Sequence, residues 1–86
     1  MIREDIDAYL QETCPDEEIL LFDGFDSAFL GVGHQHSKQV VAIYDRARCI
    51  EVLAEQMSHE EAEEYFVFNT ESAWVGDQTP IIMEMA

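Results

Sequence analysis

The sequence predicts an α+β fold: a single small domain, 1–86, with a mostly antiparallel sheet of three to four strands packed on two to three helices. Three observations lead there. Apolar residues recur at helical spacing in three separate segments, two β-type runs flank a short polar loop, and 86 residues suffice for one modest core. Hydrophobic residues make up 48% of the chain, with five Phe, three Tyr and one Trp. That composition separates it from disordered acidic chains, where high charge accompanies few aromatics.

Ile2, Ile6, Tyr9 and Leu10 share one helical face and predict a first helix over 2–12. Pro15 stops it, and Asp16, Glu17 and Glu18 form an exposed link. The run Ile19-Leu20-Leu21-Phe22 reads as a short strand cut off by the turn dipeptide Asp23-Gly24, although so short a run is also compatible with helix. Residues 28–33 and 40–44 flank the polar stretch 34–39 and predict a hairpin. The second of these runs is continuously apolar, which suits a central strand covered on both faces. Gly31 and Gly33 fall on one face, where they leave room for a close neighbour or mark a bulge.

Asp45 is placed to cap a second helix with Cys49, Ile50, Val52 and Leu53 as its apolar positions. Ser58-His59-Glu60-Glu61 matches the capping box Ser-x-x-Glu and opens a third helix over 59–69. Its packing residues are Ala62, Tyr65, Phe66 and Phe68, and Asn69 is its stop. After a loop around Gly76, Pro80-Ile81-Ile82-Met83 reads as the final strand. Pro80 has no amide hydrogen to donate and belongs at the start of that strand or on an edge. The predicted order is α-β-β-β-α-α-β.

Nineteen acidic side chains stand against four basic ones, Arg3, Lys38, Arg46 and Arg48, for a net charge of −15. Solubility of a small domain asks for a magnitude of only about 2–8, and the excess destabilises the folded chain by self-repulsion. No basic patch exists to neutralise phosphates, so nucleic acid is not a direct ligand. Part of the acid has local reasons. Glu60 and Glu61 sit in a first helical turn, Asp23 and Asp26 favour a turn, and Asp45 lies at a cap. The remainder, Asp5, Asp7, Glu12, Asp16, Glu17, Glu18, Glu51, Glu55, Glu63 and Glu64, is the candidate partner-binding set. Glu51/Glu55 and Glu60/Glu64 are like-charge helical pairs that each cost about 0.2–0.5 kcal/mol.

His34-x-His36 is the most metal-like pattern, and Asp23, Asp26 or Asp45 would complete a set of two imidazoles and a carboxylate. At a hairpin tip such polar residues are ordinary, and no metal or cofactor is expected. His59 reads as an exposed first-turn residue. The turn role of Asp23 and Asp26 outweighs acid–base chemistry. Cys14 and Cys49 stand outside any Cys-x-x-Cys pair and read as free thiols, Cys49 within the core. Trp74 is expected in the core, with an interface anchor as the alternative. No phosphate loop, nucleophile elbow or zinc framework is present, and the chain is read as non-enzymatic. No apolar run approaches the roughly 20 residues of a membrane span, and the first residues lack a signal-peptide core. The expected location is the cytosol.

Asp-Gly-Phe-Asp (23–26), Val41-Ala42-Ile43-Tyr44-Asp45, Cys49-Ile50-Glu51-Val52-Leu53, Met57, Glu61 through Phe66, Phe68-Asn69 and Ala73-Trp74-Val75-Gly76 with Thr79-Pro80-Ile81 form a series. It resembles a widespread family of small uncharacterised phage and prophage proteins, over roughly residues 20–83. The closing Trp-Val-Gly-x-x-Thr-Pro is its most specific part. The family carries no established activity or site residue. It implies a viral origin and action in the cytoplasm of a bacterial host. The expected function is therefore binding of a host protein with a basic surface, without contact to nucleic acid or membrane. Its sharp form is a DNA-mimicking anti-restriction or anti-CRISPR inhibitor. Two alternatives are an interaction or structural module whose charge serves solubility only, and a small metal-dependent enzyme using His34 and His36. A homodimer would bury Trp74 or the Met83–Met85 end.

Overall fold

The computed structural model describes residues 2–86 and orders them as α1 (Arg3–Thr13), β1 (Phe29–Gly33), β2 (Val41–Asp45), α2 (Arg46–Leu53), α3 (His59–Phe66) and β3 (Ile81–Met83). A 3-10 turn, Asp26–Ala28, leads into β1, and a π-helical turn, Val67–Glu71, continues α3. The result is an α+β domain of three helices and one three-stranded sheet in the order β1-β2-β3.

The sheet is mixed rather than mostly antiparallel. β1 and β2 form the expected antiparallel hairpin, whereas β3 runs parallel to β2. The chain leaves β2 directly into α2, passes through α3 and returns alongside β2, and a helical crossover is the connection that parallel neighbours require. The predicted strand at 19–22 does not form. Its apolar side chains Ile19, Leu21 and Phe22 still pack on the core, but side chains from elsewhere take its main-chain groups. Phe22 N–H donates to Tyr44 Oη at 3.0 Å, and Phe22 C=O accepts from Arg3 Nη2 at 3.2 Å.

Tyr44 occupies the centre of the core. It is fully buried, with ring centroids 5.1 Å from Phe22 and 5.7 Å from Phe29. Ile6 reaches the same cluster from α1, Cys49 and Ile50 from α2, and Ala62 and Phe66 from α3. Both glycine expectations are met in β1. The register shifts between Phe29 and Gly31, where Gly31 takes φ +151° and Leu30 faces out. A Cβ on Gly33 would stand 3.0 Å from Ile43 Cδ1, so a larger residue there requires the Ile43 side chain to shift.

The helix starts follow their caps. Asp45 Oδ1 accepts from Ala47 N–H at 3.1 Å. Ser58 Oγ accepts from Glu61 N–H at 3.1 Å, and its hydroxyl donates to Glu61 Oε1 at 3.1 Å. Replacing Ser58 with Ala is expected to cost about 1 kcal/mol. In thermal denaturation that is a midpoint lower by roughly 4–8 °C, with Ser58→Asp close to wild type.

The end of α3 departs from expectation. Asn69 does not stop the chain; its Nδ2 donates back to Tyr65 C=O at 3.0 Å, and the π turn runs on to Glu71. Ala62 and Phe66, four residues apart, take the buried face. Phe68, two residues beyond Phe66, falls on the far side and is 79% exposed, and Tyr65 is exposed beside it. Neither is the packing residue that its hydrophobicity suggested.

Candidate partner-binding surface

All ten acidic residues of the candidate set are exposed, and the fold sorts them into two groups. The first comprises Asp5, Asp7 and Glu12 on α1, with Asp16, Glu17 and Glu18 just beyond it. A turn in which Glu17 N–H donates to Cys14 C=O at 3.2 Å folds the link back on the helix. Asp7, Glu17 and Glu18 thereby line one depression of about 250 Å³. The second group lies on the α2–α3 side. Glu51 and Glu63 border a depression of about 230 Å³ together with Arg46, His59 and Glu84. Glu64 borders another, of about 390 Å³, with Met57, Tyr65 and Phe68. Each of these depressions draws on one group alone. Glu55 stands in the turn after α2, which ends at Leu53, so Glu51/Glu55 is not a helical pair.

The arginines are spent mostly on other carboxylates. Arg3 Nη2 lies 3.1 Å from Asp26 Oδ1 and 3.5 Å from Asp23 Oδ1, tying α1 to the turn before β1. Arg46 Nε lies 2.9 Å from Glu71 Oε2 and its Nη1 3.8 Å from Glu84, tying α2 to the π turn and the C-terminal end. Hydrogen bonds donated to Asp26 and Glu71 raise the pKa of Arg3 and Arg46 respectively, and both stay charged. Only Glu51 of the candidate set has an arginine, Arg48, at 3.0 Å. Glu63 approaches His59 Nδ1 at 3.9 Å. The other eight have no basic partner among the described residues, and Lys38 has no acidic one.

His34 and His36 are exposed in the β1–β2 loop. The carboxylates that would complete a metal set are engaged elsewhere: Asp23 and Asp26 face Arg3, and Asp45 caps α2. Among the described residues no three or more His, Cys, Asp or Glu side chains are grouped to hold a metal ion. Cys14 and Cys49 are free and buried. Burial, and then the charge of Asp45, pushes the Cys49 thiol up to about 12, which leaves it neutral and unreactive.

Trp74 is not in the core; it is 74% exposed. The segment after it closes on itself, with Val75 N–H donating to Thr79 Oγ1 at 2.9 Å and Thr79 Oγ1 donating to Gly76 C=O at 2.6 Å. Gly76 supports this turn at φ +96°. Trp74 instead lines a groove of about 510 Å³ with Val41, Ile43 and Ile81 on the outer face of the sheet. The groove was not anticipated. Its signal was the unbroken apolar run of β2: Ala42 and Tyr44 face the core, while Val41 and Ile43 border the groove instead of a second packed layer.

No family model, curated protein or solved structure matches the chain. Among the described residues no helix is long and apolar enough to cross a membrane.

Proposed function

We propose that this is a small, non-enzymatic, phage-type protein that occupies the basic surface of a host protein in the bacterial cytoplasm, as a mimic of nucleic acid. The observation that supports this most is the distribution of the cations. Three of the four basic side chains are held in ion pairs, while eight of the ten candidate carboxylates stand exposed without a basic partner among the described residues. A field of this sign steers oppositely charged grooves toward it and repels nucleic acid. Lysines and arginines that normally hold phosphates would find carboxylates in their place.

The test is capture from host lysate on the immobilised protein at two salt concentrations. A basic nucleic-acid-binding protein is expected at about 50 mM salt, largely lost by about 200 mM, and displaced by added duplex DNA. Capture that is insensitive to salt and to DNA, or no capture at all, contradicts the proposal.

A further inference from the structure

We propose that the outer edge of β3 and the adjoining Trp74 groove take up an extended basic peptide segment as a fourth strand, resting on the basic-partner proposal above and locating where such a partner is gripped. The sheet ends at β3, and no group beyond the β2 ladder hydrogen-bonds the main chain of residues 81–83 among the described residues. Natural edge strands are commonly blunted by lysine, a bulge or a covering loop. β3 carries no lysine and no bulge within Ile81–Met83; its three residues and the preceding Pro80 limit the open edge to a short stretch.

The side chains around this edge are apolar where solvent would favour polar ones. Ile81 and Met83 project to the same side as Ile43 and are exposed, and Trp74 lines the groove with Val41, Ile43 and Ile81. A strand added along β3 would gain main-chain hydrogen bonds from the edge and place alternate side chains in that groove. Its volume, about 510 Å³, leaves room for a bulky apolar side chain from such a strand.

Charge selects the occupant. A second copy of this chain brings a further −15 and is repelled, whereas a basic segment is drawn in by the whole molecule. Lys38 and Asp77 both line the groove without pairing, so the groove itself favours the apolar anchor, while the acidic link, brought beside the groove's rim where Gln78 Nε2 donates to Glu18 C=O at 3.2 Å, favours the basic residues.

The sole tryptophan, Trp74, reports on occupancy directly. The full chain is titrated with a peptide of alternating Lys and Val, with oligolysine of equal charge, and with alternating Glu and Val. The expected result is a blue shift of Trp74 emission with the Lys-Val peptide alone, and affinity at least about tenfold above oligolysine. N-methylation of alternate amides in that peptide removes the gain. Trp74→Ala, at a side chain outside the core, weakens the Lys-Val peptide by about tenfold in calorimetry and leaves oligolysine unchanged. Equal binding of the two basic peptides without an emission change overturns this inference while leaving the acidic-surface proposal standing. No binding of either basic peptide overturns both. A concentration-dependent dimer with blue-shifted emission in the absence of peptide overturns it in favour of a second copy.

Discussion

Truncating Phe66 to Ala is expected to leave the domain largely unfolded at physiological temperature. Phe66 is fully buried in α3 and meets Phe25 edge-on with ring centroids 6.0 Å apart. Removing such a ring costs about 3–5 kcal/mol, because the transfer energy is lost and a cavity remains. A domain of this length holds roughly 4–13 kcal/mol in total, and self-repulsion among the carboxylates places this one toward the lower end. Phe68, two positions on, supplies the control. It lies on the exposed side of the same helical path, so Phe68→Ala is expected to change stability by no more than about 0.5 kcal/mol. Urea denaturation of both variants measures the contrast. Similar losses at the two positions would contradict the assignment of the buried face to Ala62 and Phe66.

The second large effect is alkaline. Burial raises the pKa of the Tyr44 phenol and pushes the Cys49 thiol up to about 12. In the unfolded chain a thiol ionises near pH 8.5 and a phenol near pH 10. Both folded values are raised, so the folded state keeps protons that the unfolded state gives up. The thiol's contribution is complete below about pH 8.5 and is lost as pH rises toward 12, at up to about 1.4 kcal/mol per pH unit, and the phenol adds to the loss above about pH 10. By pH 11 the thiol alone is expected to remove about 3 kcal/mol. Urea midpoints at pH 7, 9 and 11 read this directly. Cys49→Ala is expected to be less stable at pH 7 but to lose less between pH 9 and 11. Parallel losses in wild type and variant would contradict the buried thiol as the source.

What was legible in the sequence was mainly local. Asp45 and Ser58 announce helix starts because their side chains reach amides two and three residues away. The hairpin, the bulge at Gly31 and Pro80 at the entry to β3 follow from backbone chemistry in the same way. The parallel pairing of β3 does not, because it depends on the path through α2 and α3. The exposure of Trp74 was hidden for a related reason. Tyr44 and Phe66 fill the centre, and the Thr79 turn keeps the indole outside, so hydrophobicity alone misplaces it. Ile19 to Phe22 reads as a strand because the run is apolar, yet Arg3 and Tyr44 take main-chain groups of Phe22.

The acidic surface was similarly half visible. Exposure of the ten carboxylates follows from their charge, and the Arg48–Glu51 pair from its i,i+3 spacing. The engagement of Arg3 with Asp26 and of Arg46 with Glu71 spans 23 and 25 residues of sequence and emerges only from the fold. Those two contacts leave the α1 link and the α3 face uncompensated. They also link α1 and α2 to the segments before β1 and after α3.

The most direct measurement is the affinity of the basic host protein recovered by salt-sensitive capture for two forms of this chain. One is the wild type. The other carries Asp16→Asn, Glu17→Gln, Glu18→Gln, Glu55→Gln, Glu63→Gln and Glu64→Gln, all at exposed positions that leave the core and both helix caps intact. The variant is expected to bind at least about tenfold more weakly and to show a shallower dependence on salt, with its thermal midpoint held or raised by the relief of repulsion. Unchanged affinity and an unchanged salt dependence in the neutralised chain would contradict a functional acidic surface.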